Sequence, residues 1–141
     1  MIGASDQWPV VSKEEEAYVD KPVRSYQDLV AWQKAMDLVT KIYQVSHKFP
    51  REEIFALTSQ LRRAAVSVPS NIAEGQGRSS RKEFLYFLGN AKGSLSEVET
   101  QILIARNLGY IGDEDLNALL NLSAEVGRIL NGLLASLRNK K

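Results

Sequence analysis

Apolar residues recur at helical spacing in four stretches of this chain. In the first, Leu29, Trp32, Met36, Val39 and Tyr43 follow one another at alternating intervals of three and four, and Ala35, Leu38, Ile42 and Val45 widen the stripe. Ser25, with Asp28 three residues on, is a variant of the capping box and predicts the start of that helix. Phe49-Pro50 ends it, because the residue before a proline disfavours the helical region. The second stretch begins near Arg51, where Glu52 and Glu53 suit a positive helix end, and its apolar line is Ile54, Leu57, Leu61, Ala64 or Ala65, Val68 and Ile72. Pro69 falls inside this line and predicts a kink or an interruption, since it has no N–H to donate. Gly75 and Gly77 close the segment.

The third stretch is the most regular. After a cap at Ser79 or Ser80, Phe84, Leu88, Ala91, Leu95, Val98, Ile102 and Ala105 form a heptad-type seam that Leu108-Gly109 terminates. Asp113 caps a fourth helix, along which Leu116, Leu119, Ser123, Val126, Leu130, Leu133 and Leu137 recur, and Arg138, Lys140 and Lys141 suit its negative C-terminal end. Nowhere is strand-like alternation sustained. Short loops between long helices make neighbours antiparallel, so the expected fold is all-α: an up-down-up-down four-helix bundle over residues 25–141.

Several apolar residues fall off these seams, among them Phe55, Leu85, Tyr86, Phe87, Leu103, Ile104, Leu120 and Leu134. A monomeric bundle uses roughly three positions in seven on each helix, so the excess predicts a homo-oligomer. Gly89 and Gly93, four apart inside the third helix, predict a close helix approach, because each glycine there costs about 1 kcal/mol and calls for a packing reason. Residues 1–24 read differently. Two prolines, the run Glu14-Glu15-Glu16 and a net charge of −2 predict a mobile or loosely docked tail.

Composition narrows the chemistry. The chain has 141 residues with 18 basic and 17 acidic side chains, so its net charge of +1 exerts no general pull on nucleic acid or an anionic membrane. Without cysteine there are no disulfides, thiolate metal sites or cysteine nucleophiles. The first residues lack the basic and apolar regions of a secretory signal, and uncharged stretches such as Leu116–Ala124 fall well short of the roughly 20 residues a membrane span needs. The expected location is the cytoplasm, with no membrane partner. A single histidine, His47, excludes a paired Glu-x-x-His di-iron site and reads as a cation suited to a helix C-terminus. No catalytic residues, metal site or cofactor are expected.

Three features are open to a functional reading. Gln60, Arg63, Ser67, Asn71 (or Ser70), Glu74 and Arg78 form a polar stripe on the second helix; it is either a structural network, with Glu74 paired to Arg63 or Arg78 and Asn71 or Ser70 bonding carbonyls freed by Pro69, or the wall of a site. The run Gly75-Gln76-Gly77-Arg78-Ser79-Ser80 is a small anion-binding loop or an ordinary turn. Between Arg51 and Lys82 there is a local basic excess of three. Arg62, Arg63, Arg78, Arg81, Lys82, Lys140 and Lys141 are therefore candidate phosphate contacts for RNA or DNA, or else a solvated face.

The residues carry a resemblance. Leu29-Val30-Ala31-Trp32-Gln33-Lys34-Ala35, Leu57-Thr58-Ser59-Gln60-Leu61-Arg62-Arg63 and above all Ser67-Val68-Pro69-Ser70-Asn71-Ile72-Ala73-Glu74-Gly75 resemble the four-helix-bundle proteins encoded in intervening sequences of bacterial 23S rRNA genes. Phe84-Leu85-Tyr86-Phe87-Leu88 and Gly93-Ser94-Leu95-Ser96-Glu97-Val98-Glu99 extend the match, which runs from about Tyr26 to Leu137. The resemblance implies a homopentameric ring without established enzymatic activity. It also implies kinship with accessory proteins of diversity-generating retroelements, which pair with a reverse transcriptase and bind nucleic acid through a basic face. The near-zero net charge departs from those strongly basic relatives. Gln60, Arg63, Ser67, Pro69, Asn71, Glu74 and Gly75 transfer as a structural motif, not as catalytic positions. Function is thereby narrowed to a non-enzymatic nucleic-acid or ribonucleoprotein accessory module, or a protein–protein scaffold.

Overall fold

The computed structural model describes residues 25–139. The tail over 1–24 and the candidate contacts Lys140 and Lys141 lie outside the described residues. Within them the chain forms four α-helices, α1 (Val30–Ser46), α2 (Leu57–Gln76), α3 (Arg81–Asn107) and α4 (Asp113–Arg138), with single 3-10 turns at Tyr26–Asp28 and Arg51–Glu53 and no strand. Each helix packs on its neighbours in sequence, and α4 returns to α1.

Neighbouring helices run in opposite directions. Along α2 and α3, Ser67 meets Ser94 while Gly75 meets Phe84 and Phe87. Along α1 and α4, Lys34 reaches Glu125 at 3.7 Å, whereas Lys41 and Lys48 both reach Asp115, at 3.5 and 3.3 Å. The α1–α2 and α3–α4 loops share one end, where Tyr110 donates its hydroxyl to Glu53 at 2.8 Å and its ring packs on Phe49. The Glu53 carboxylate in turn holds the Tyr110 phenol above its ordinary range.

The seams of α3 and α4 are buried as their spacing predicts, apart from half-buried Phe84 at the start of α3. In α1 the expectation needs correction. Its core face is Ala31, Trp32, Ala35, Leu38, Ile42 and Val45, with Met36 and Val39 half-buried and Tyr43 exposed. Both rows are apolar, so periodicity alone places the stripe poorly, and Ala35, Leu38 and Ile42 face the centre.

The helix ends also differ. The capping box of Ser25 and Asp28 forms, but on the 3-10 turn; Leu29 is extended and α1 starts after it. Arg51–Glu53 is a separate turn, and α2 begins only at Leu57, whose N–H goes to the Glu53 carboxylate at 3.3 Å. Ile54 is therefore exposed and not part of the apolar line. The cap of α4 is Gly112, one residue before Asp113, with no side-chain bond. Ser80 caps α3 by accepting from the Glu83 N–H at 3.1 Å. Gly109, at φ 78°, closes α3, with Tyr110 N–H bonded to Ala105 and Gly109 N–H to Arg106, the paired bonds of a glycine-terminated helix.

Pro69 does not interrupt α2. It is buried within a continuous helix. The carbonyl that loses a partner is that of residue 65, four positions back. Asn71 does not bond it: its amide donates instead to the Ser67 carbonyl at 2.8 Å and the Ser67 hydroxyl at 2.9 Å. Asn71 thus spans the proline, but reaches the Ser67 carbonyl and not the one freed at residue 65. The close-approach glycine is Gly75. A Cβ there would lie 2.8 Å from Phe87 Cβ, whereas at Gly89 or Gly93 it would meet nothing within 4 Å. Neither Gly89 nor Gly93 makes a close approach inside the bundle.

Candidate functional site

The polar stripe of α2 resolves into two clusters at different levels of the α2–α3 seam. In the first, Ser67 and buried Ser94 share a hydrogen bond of 2.8 Å, and Asn71 donates to Ser67. These groups line a shallow depression of ≈ 440 Å³ together with Gly89, Gly93 and Glu97. Ser94 occupies an inner position of the α3 seam, between Ala91 and Leu95; its hydroxyl is the partner that the stripe on α2 alone does not reveal. Ser70, the alternative to Asn71, is exposed.

The second cluster lies at the α2–α3 turn. Arg78 pairs with Glu74 at 2.7 Å and with Glu83 at 3.6 Å, and its guanidinium stands 4.9 Å from the centre of the Phe87 ring. Of the two arginines expected for Glu74, Arg78 is the one that pairs. The Ser80 hydroxyl donates to the Glu83 carboxylate at 3.1 Å. A carboxylate therefore already occupies the start of α3, so the Gly75–Ser80 run forms an internally neutralised turn, not an open anion loop. Gly75 and Pro69 pack within the helix pair, while Gln60 and Arg63 are exposed and join neither cluster.

The candidate phosphate contacts do not form one face. Arg62 is half-buried: it donates Nε–H to Ser46 at 2.9 Å and lays its guanidinium 4.6 Å from the centre of the Tyr43 ring. That contact ties α2 to α1. Arg62 and Arg63 lie about 24 Å of helix away from Arg78, at 1.5 Å per residue. Arg78 is paired with two carboxylates. Arg81 and Lys82, exposed in the first turn of α3, share their end of the bundle with exposed Arg138.

Elsewhere the surface carries exposed apolar residues. Phe55 is 95% exposed and Tyr86 65%, and Tyr43, Ile54, Val66, Ile104 and Leu108 are also open to solvent. Leu134, by contrast, is buried in the core, and Leu85 and Leu120 pack against it. His47 caps the C-terminus of α1 and is exposed, as its place in the sequence implies. Among the described residues no group of three or more histidine, aspartate or glutamate side chains comes together to hold a metal ion, and no helix is long and apolar enough to cross a membrane.

A family model for the 23S rRNA-intervening sequence protein matches residues 27–132. The chain belongs to that family. In this member of the 23S rRNA-intervening sequence family the stretch over 67–75 lies along the contact between α2 and α3, with Asn71, Glu74 and Gly75 each bonded or packed there. Its fold is similar to the crystal structure of a protein of unknown function from the S23 ribosomal protein family of Bacteroides thetaiotaomicron VPI-5482. The two share 23% identity at a TM-score of 0.70, over 75% of this chain and 96% of that one. No curated protein matches the chain.

Proposed function

We propose that this 23S rRNA-intervening sequence family member is a non-enzymatic assembly module, a homo-oligomer built through the outer face of α3. The observation that carries this reading is one line along that helix. Tyr86, Gly89, Gly93, Glu97, Thr100 and Ile104 lie on it, the tyrosine and isoleucine exposed and the glycines with open space where a Cβ would be. A solvated face ordinarily carries Lys, Glu or Gln, which favour a helix. Glycine inside a helix costs about 1 kcal/mol and gains nothing from water. Small residues between two apolar ones instead leave room for the backbone of another helix. The homopentameric ring that the sequence resemblance implies would cover such a face in every copy.

Sedimentation velocity tests this. The parent should run as a single oligomeric species, and Gly93→Gln should shift it to monomer while leaving the helical CD spectrum intact. A monomeric parent across the micromolar range would refute the reading.

A second reading keeps a role for nucleic acid, because Arg63, Lys82 and Arg138 are exposed and pair with no carboxylate among the described residues. Binding to a structured RNA across a salt series tests it. A multi-phosphate surface gives a steep negative slope against log salt, and Lys82→Ala should make that slope shallower.

A further inference from the structure

A cleft of ≈ 300 Å³ opens between the end of α1, the loop that follows and the first turns of α2. Its polar lining is Ser46, His47, Arg51, Thr58 and Arg62, with no carboxylate. Thr58 is only 4% exposed, and its hydroxyl has no hydrogen-bond partner among the described residues. Burying a hydroxyl unpaired is unfavourable, so such a group usually waits for a partner. The Arg62 guanidinium is held from two sides, by Ser46 at its Nε and by the Tyr43 ring beneath it. That leaves its outer amino groups fixed in orientation and without another hydrogen bond among the described residues. Arg51 adds a second cation on the facing loop, while the N-terminus of α2 is already taken by the Glu53 carboxylate at the Leu57 N–H.

We propose that this cleft binds a phosphate-type oxyanion. The planar fork of Arg62 supplies donors to two oxygens of a tetrahedral anion, a turn of the Thr58 side chain about χ1 brings its closed-off hydroxyl to a third, and Arg51 neutralises the remaining charge. Phe49 and Ile54 form an apolar side to the cleft, which suits the organic body of a phosphate ester. Nothing here depends on α3, so the cleft stands or falls apart from the assembly reading.

Isothermal titration with inorganic phosphate and, separately, with adenosine monophosphate at low salt tests the proposal. Both should bind. Thr58→Val and Arg51→Ala should each weaken binding roughly tenfold, the loss of one good hydrogen bond or charge. Both variants should melt no earlier than the parent without ligand, because Thr58→Val removes an unpaired polar atom and Arg51 lies in an exposed turn. Tighter binding of the nucleotide identifies a phosphate ester as the ligand; equal binding identifies the free ion. A parent that takes up neither, or variants that bind both as the parent does, would overturn the assignment.

Discussion

Gly75→Ala is the sharpest test of how α2 and α3 are held together. Two effects of opposite sign meet at this residue. Replacing a glycine inside a helix by alanine ordinarily stabilises by about 1 kcal/mol, because the unfolded chain loses freedom it would otherwise regain. Against this, the new methyl would stand 2.8 Å from Phe87 Cβ, 3.0 Å from Phe84 Cδ1 and 3.3 Å from the Phe84 carbonyl oxygen. Only the Cδ1 belongs to a ring that can turn away. The other two atoms are fixed to the α3 backbone, so relief requires the helices to separate. Overpacking of this kind costs about 1–3 kcal/mol, and a contact that only backbone movement relieves belongs at the upper end. The net expectation is a loss of about 1–2 kcal/mol, or about 4–8 °C in Tm for a bundle of this size. Gly132→Ala is the control. It is exposed within α4 with nothing within 4 Å of an added Cβ, so the same substitution should raise stability by about 1 kcal/mol. Thermal and urea melts of both variants measure the difference. Shifts of the same sign at the two positions would refute the reasoning.

Other substitutions probe single contacts. Asn71→Leu should cost about 1 kcal/mol in urea melts, since it removes a donor from Ser67 while the bond between Ser67 and Ser94 survives. Ser123→Ala should raise Tm, because the Ser123 hydroxyl is fully buried without a partner among the described residues. Tyr110→Phe should loosen the end of the bundle that joins the α1–α2 and α3–α4 loops, at a cost of about 1 kcal/mol; proteolysis within residues 48–56 reads it directly. Two carboxylates give opposite pH responses. The hydrogen bond from Lys48, with Lys41 close by, holds Asp115 below its ordinary range. Its contribution is therefore present above about pH 4 and is lost as acid protonates it; Asp115→Asn should flatten the decline of Tm below that pH. Burial pushes Asp37 up, with Lys34 opposing and Glu125 reinforcing the shift. Folding therefore favours its protonated form, and Asp37→Asn should raise Tm at neutral pH more than at pH 3.

What the sequence displays clearly is whatever depends on spacing alone. The seams of α3 and α4 are buried because only one row of each helix is consistently apolar, and an interval of three or four then has a single geometric meaning. In α1 two adjacent rows are apolar, and the choice between them rests on a tertiary contact: Tyr43 stays at the surface as the platform for Arg62. The start of α2 is misread for a related reason. Arg51, Glu52 and Glu53 have the charges of a first helical turn, but the Glu53 side chain caps the helix that starts at Leu57, and that bond has no signature in spacing.

The glycines show the same limit more sharply. Gly75 reads in sequence as a helix end and Gly89 and Gly93 as a close approach, yet Gly75 lies inside α2 wedged against two phenylalanines and the others face open space. A glycine inside a helix signals that something comes close; it does not say whether that something belongs to the same chain. Once Gly75 has its partner within the bundle, Gly89 and Gly93 are left with a helix cost that no internal contact offsets. Their neighbours on the same face, Tyr86 and Ile104, are exposed. The basic residues point the other way: Arg78 is neutralised by Glu74 and Glu83, and Arg62 is turned by Ser46 and Tyr43 into the cleft at the end of α1, so the two share no common face for a polyanion. The unexplained cost thus sits on a face whose charge beside the glycines is the acid Glu97, which is why covering α3 with another helix accounts for more of this chain than a polyanion does.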